Sequence, residues 1–279
     1  MADARIYHFD RPPLQETVLG IQFIPMRKFN AAHLGAFWKT LGAEWRDVNG
    51  AAALEQQFEY FDARAFAGEM GFRLQFGGEP AARLQIPNAA GDRMIQVQNG
   101  RLLYNWLRSG PAVPGPTQIE TRRNAYPHYP EIRGQFDDVL RRFRQFVAAE
   151  GFGELAANQW EVTYVNHLPK GTVWNSPGDW AALFPRLPMP AAQLEVAELE
   201  SMIGEWHYHL PGKRGRLHVQ LRHGVAGKEQ VLVLTLTARG PVSQDVPMGA
   251  GLDIGREAIV RAFKVLTSEA AHLYWGYKA

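Results

Sequence analysis

The side chains best placed to do chemistry sit around two hairpins. In the first, Asn99-Gly100 joins two β-rich runs, Arg93–Gln98 and 101–106. Asn-Gly is a strong two-residue hairpin signal because both positions tolerate positive φ. Pairing about that turn predicts Gln98 opposite Arg101, Gln96 opposite Leu103 and Met94 opposite Asn105 on one face. Val97 with Leu102, Ile95 with Tyr104 and Arg93 with Trp106 share the other. One face is thus largely apolar, and the other carries amides and a guanidinium. A side-chain amide donates and accepts at once, as a peptide group does. Arginine holds a carboxylate through two parallel bonds. The loop that follows brings Arg122, Tyr126, His128 and Tyr129, and rigid aromatic area is suited to contacting a peptide. The sequence therefore predicts one recognition surface for an extended peptide, built from Gln96, Gln98, Arg101, Asn105, Arg122, Tyr126, His128 and Tyr129. The blander alternative makes the aromatics core and turns the amides to water. Trp106 falls on the apolar face and reads as core.

The second hairpin holds His207-Tyr208-His209 before a turn and His218 and His223 after it. Histidines at i, i+2 on a strand point the same way and could reach one divalent metal ion. The third ligand depends on register. If Leu210 pairs with Arg216, His218 points away, whereas a shift of one residue brings it to the face of His207 and His209. A metal-dependent enzyme using His207, His209 and His218 is thus one alternative reading. The main reading needs no cofactor.

Other chemistries lack their motifs. No phosphate loop, dinucleotide fingerprint, nucleophile elbow or paired-histidine zinc helix is present. The five serines, at 109, 176, 201, 243 and 268, fall in no strand-to-helix nucleophile turn. The chain has no cysteine, so thiol nucleophiles, disulfides and thiolate metal sites are ruled out. Paired carboxylates for acid–base work are not evident, since Glu195, Glu198 and Glu200 read as a solvated face. Lys plus Arg is 30 against Asp plus Glu 28, a net charge of +2. That balance disfavours a dedicated nucleic-acid surface. With no apolar leader and no membrane-length apolar run, a cytoplasmic location with no membrane partner is expected.

These residues need elements to position them. At 279 residues, 46% hydrophobic and 21% charged, the chain has a packed globule's composition. A strand over 17–23 is followed by a helix that Asn30 can cap, with Leu34, Phe37, Trp38 and Leu41 on its apolar side. Short strands are expected at 71–76, 82–86, 93–98 and 101–106. A long amphipathic helix then carries Ile132, Phe136, Val139, Leu140, Phe143 and Val147 at helical spacing, and Gly151 stops it. The second half repeats this order: a strand over 160–166, a short helix near 179–184, strands near 197–210, 216–223 and 230–237, and one long helix from Ile254 to Tyr274. The expected fold is α+β, with halves 1–152 and 153–279 packed as one unit. Two curved antiparallel sheets, each backed by a long helix, are expected, and if they join edge to edge the nearest architecture is that of the TATA-binding protein.

Several landmarks resemble those of a sporadically distributed, largely uncharacterised bacterial family of similar length. They are Pro12-Pro13 with Glu16 and Ile21-Gln22-Phe23, Ile95-Gln96-Val97-Gln98, Asn105-Trp106, Tyr126-Pro127-His128-Tyr129-Pro130 and Tyr164-Val165-Asn166. In that family Asn-Trp is usually followed by arginine. Here Leu107 stands before Arg108, which weakens any carry-over of role to that position. Members are similar in turn to the peptide-binding accessory proteins of crocagin biosynthesis. The resemblance implies a non-catalytic protein that binds a ribosomally made precursor peptide and presents it to a separate modifying enzyme. A homodimer, a nucleic-acid-binding module and a bacterial defence component remain alternatives.

Overall fold

The computed structural model describes residues 7–61, 82–108 and 126–278. Its centre is one nine-stranded sheet in which every neighbouring pair is antiparallel. The first half supplies β2 (Leu14–Phe23), β3 (Asn49–Ala52), β4 (Ala82–Pro87), β5 (Arg93–Gln98) and β6 (Arg101–Leu107). The second supplies β7 (Ala157–Pro169), β8 (Ile203–His209), β9 (Arg216–Ala226) and β10 (Glu229–Pro241). The order across the sheet is β3-β4-β5-β6-β2-β7-β10-β9-β8. In each half the first strand lies beside the last, and the two first strands, β2 and β7, pair in the middle. The two sheets expected from the sequence are therefore one, because β2 and β7 join edge to edge over almost their whole length. A small ribbon of β1 (His8–Phe9) with β11 (Tyr277–Lys278) ties the two ends together.

Period-2 alternation fixes the two faces. Leu19, Ile21, Ile95, Val97, Leu102, Tyr104, Trp160, Val162, Val219, Leu234 and Leu236 are buried on one side. The helices α1 (Ala31–Thr40), α2 (Tyr129–Ala149) and α4 (Met248–Leu266) pack there. Phe143 of α2 meets Phe23 at 5.7 Å and Phe37 at 4.9 Å between ring centroids. Asn30 caps α1 as expected, its Oδ1 accepting from the Ala32 amide at 3.1 Å. Helix α4 lies close to the sheet because Gly251 and Gly255 leave room for the Trp160 indole. A Cβ on Gly251 would stand 2.2 Å from Trp160 Cδ1.

The hairpin about Asn99-Gly100 pairs as predicted, residue for residue. Gly100 takes φ 106° at its turn. Elsewhere the boundaries differ. The long run expected at 197–210 is a strand only from Ile203 to His209. The last helix breaks after Leu266, and α5 (Glu269–Tyr274) restarts on a Ser268 cap, its Oγ accepting from the Ala271 amide. A short α3 (Trp180–Leu183) follows β7. Strand β3 has no amphipathic signature in Asn49-Gly50-Ala51-Ala52 and was not foreseen. The strand expected at 71–76 lies outside the described residues. Among the described residues no helix is long and apolar enough to cross a membrane.

Candidate functional site

The face away from the helices is polar, and a segment of the same chain lies across it. Residues 53–61 leave the edge strand β3 and form no regular secondary structure. A buried backbone must still satisfy its amides and carbonyls. Here glutamine side chains do so. Gln98 Oε1 accepts from the Leu54 amide at 2.8 Å while its Nε2 donates to the Leu54 carbonyl at 2.8 Å. Gln22 holds Gln57 in the same way, accepting from its amide at 2.7 Å and donating to its carbonyl. Gln159 Oε1 accepts from the Glu59 amide at 3.4 Å. In return, Gln56 Nε2 donates to the Phe23 carbonyl at 3.2 Å. Arg101 Nη2 donates to Gln22 Oε1 at 2.7 Å, which fixes the orientation of that amide.

Gln98, Gln22 and Gln159 stand on β5, β2 and β7, with β6 between the first two. Three strand spacings cover about 14 Å. Five residue steps, from Leu54 to Glu59, reach at most about 17 Å. The strap is therefore nearly extended and runs across the strands, not along them.

Its far end is anchored by charge. The Glu59 side chain is 2% exposed. Arg216 Nη1 donates to its Oε2 at 2.5 Å and Arg239 Nε to its Oε1 at 2.9 Å. His218 Nε2 lies 2.7 Å from Oε1. Arg216 Nη2 also donates to the Tyr60 carbonyl at 3.0 Å, and its guanidinium sits over the Phe61 ring. Burial alone would push the Glu59 carboxyl up. The hydrogen bond from His218 and the charges of Arg239 and Arg216 outweigh it and hold the group below its ordinary value. Arg239 Nη1 also donates to Gln57 Oε1 and to Glu161 Oε2. Beside the strap, over β7, β10 and β9, a polar cavity of about 300 Å3 is lined by Arg101, Arg239, Glu161, Thr163, Thr237 and Gln220 among others.

Of the residues expected to bind peptide, Gln98 and Arg101 belong to this site. Gln96 and Asn105 share its face but engage each other. Gln96 Nε2 donates to Asn105 Oδ1 at 3.0 Å, Arg83 Nη1 donates to Gln96 Oε1 at 2.7 Å, and Asn105 Nδ2 donates to Glu16. Tyr126, His128 and Tyr129 lie on the opposite, helix-bearing side, so the single surface expected from the sequence is divided between two faces. Tyr126 packs edge-on against Trp106 and meets the Tyr164 hydroxyl at 2.9 Å. Tyr129 donates to Asp253 Oδ1 at 2.7 Å. With His128 these rings line a separate cavity of about 90 Å3 under α4. Trp106 and Asn105 are neighbours in sequence, so they point to opposite faces, and Tyr126 packs on the Trp106 side. Arg122 lies outside the described residues.

The histidine hairpin adopts the shifted register, with His209 opposite Arg216 and His207 opposite His218. His207 Nδ1 and His218 Nδ1 are 2.8 Å apart. A carboxylate only accepts, so His218 presents Nε2–H to Glu59, and its Nδ1 faces His207. His209 Nε2 faces Arg216 at 3.2 Å. His218 thus turns both ring nitrogens to protein partners. Among the described residues, no three His, Asp or Glu side chains are placed to hold a metal ion.

Gln22, Gln159, Arg216, Arg239 and Glu59 were missed in the sequence. Alternation along 17–23 does put Gln22 on the polar face, but nothing local says that residues 53–61 will cover it. No family model matches the chain, and a search of the curated proteins finds no match.

Proposed function

We propose that this protein binds an extended peptide across the polar face of its sheet and presents it to a separate modifying enzyme. One observation carries the reading: side-chain amides on neighbouring strands hold the backbone of an extended segment, two of them through paired donor and acceptor bonds. Such contacts read the main chain and are indifferent to most side chains, which is what a binder of an extended peptide requires. The strap is also built to leave. Each of its hydrogen bonds has a side chain as donor or acceptor, so releasing it breaks no ladder bond between strands. Among residues 53–61 only Glu59 is buried, and Phe58 and Tyr60 are each 38% exposed, so no fully buried apolar side chain holds the strap down. Segments with few buried apolar contacts open at low cost.

In this reading the strap occupies the peptide's place in the absence of ligand. A docked strap weakens the apparent affinity by the fraction of time the face is open. The neighbouring polar cavity receives ligand side chains. The resemblance to crocagin accessory proteins supplies the ligand class, a ribosomally made precursor peptide.

The test is selection of random displayed peptides on the immobilised protein, with a Gln22→Ala/Gln98→Ala double variant as the counter-sample. Peptides retained by the natural protein and lost on the variant support the reading. Retention that is equal on both contradicts it.

A further inference from the structure

Resting on that reading, the end of the strap says more about what the face selects. Gln98 and Gln22 hold only backbone, but Glu59 is held by its side chain. Its carboxylate meets Arg216, Arg239 and His218, and the two arginine side chains are only 11% and 10% exposed. Nearby, Arg101 and Arg239 share Glu161 at 3.8 and 3.0 Å. Glu161 therefore answers the charge on the β6 side of the cluster, and the strap's own carboxylate answers the charge on the β9 side. An occupant without an acid there would leave desolvated guanidinium groups facing a neutral group, which is unfavourable. The chain also continues through the socket, because the Tyr60 carbonyl beyond it accepts from Arg216. The socket is thus shaped for an acidic side chain within a chain and not for a chain end.

We infer that the peptides taken by this face carry an acidic side chain at a fixed place, two residues beyond the peptide unit clasped by Gln22 and five beyond that clasped by Gln98. Leu54 to Glu59 is the template for that spacing. The clamps set the register along the backbone, and the socket reads one side chain at its end. Glu55 is exposed, so an acid at that earlier position is not read.

The test uses the full chain carrying Glu59→Ala, which empties the socket, and fluorescently labelled peptides followed by anisotropy. The first peptide copies residues 53–61, the second carries Glu59→Gln, and the third Glu55→Gln. The expected result is binding of the first and third within about twofold of each other, with the second weaker by at least tenfold, about 1.4 kcal/mol. Equal binding of all three overturns the acidic requirement and leaves peptide binding standing. Binding of none, to a variant whose thermal transition stays cooperative, overturns the peptide-binding reading itself. The comparison is repeated on the unaltered protein, so it does not depend on the variant folding. There the first and third peptides, in excess, should speed hydrogen exchange at the Leu54 and Gln57 amides at least tenfold more than the second. Equal acceleration by all three again overturns the inference.

Discussion

Replacing Glu59 with glutamine should detach the strap while leaving the sheet intact. The change keeps the shape of the side chain but removes its charge. It also turns an amide NH2 toward Arg216, Arg239 and His218, which already supply donors at 2.5, 2.9 and 2.7 Å. Removing one partner of a buried ion pair costs about 3–5 kcal/mol. The two arginines keep slight exposure, so water relieves part of that and the low end, about 3 kcal/mol, applies. At about 1.4 kcal/mol per decade the docking equilibrium falls roughly 100-fold. Native-state hydrogen exchange reads this directly. The amides of Leu54, Gln57 and Glu59 should exchange about 100-fold faster in Glu59→Gln. Those of Leu19, Ile21 and Val162, bonded in the central ladders, should keep their rates. Unchanged rates in the strap would refute the role given to the socket. Equal acceleration in strap and central strands would refute the claim that the strap opens alone.

Three further outcomes follow from the same geometry. Gln22→Leu removes both bonds to Gln57 and a partner of Arg101. Exchange should rise about 30-fold at Gln57, for a cost of about 2 kcal/mol, and less at Leu54, which Gln98 still holds. The Glu59 carboxyl lies below its ordinary 4.5 when docked, because His218, Arg239 and Arg216 outweigh its burial. Strap protection should therefore be full above about pH 4.5 and decline as pH falls through the lower docked value, and Glu59→Gln should remove that dependence. Gly251→Ala drives a Cβ to 2.2 Å from Trp160. Overpacking of this kind costs about 1–3 kcal/mol, so differential scanning calorimetry should show Tm lower by about 3–10 °C. An unchanged Tm would mean that α4 shifts off the sheet freely.

The parts of the fold that were legible are those whose signal is local. The Asn99-Gly100 turn and the alternation on either side fixed the register of β5 with β6, and helical spacing located α2 and α4. The union of the halves into one sheet could be stated only as a condition, because β2 and β7 are about 140 residues apart and nothing in either strand names its neighbour. The polar face was half legible. Alternation places Gln98 and Arg101 on it, whereas Tyr126, His128 and Tyr129 lie on the helix-bearing side, because proximity along a loop does not fix a face. The strap was hidden for a different reason. Ala-Ala-Leu-Glu-Gln-Gln has no strand pattern, and its backbone is satisfied by glutamines from three distant strands. The histidine register needed a one-residue choice that the sequence left open, and the structure makes it by setting His207 against His218.

The most direct test of peptide recognition watches the clamps themselves. Side-chain amide resonances of Gln22, Gln98 and Gln159 are followed by NMR as the peptide copying residues 53–61 is titrated into Glu59→Ala. These three resonances should move together and saturate, while that of Gln230, at the far end of β10, stays in place. Saturable binding that leaves the three glutamines unmoved, or no binding at all, would contradict peptide recognition by the clamps.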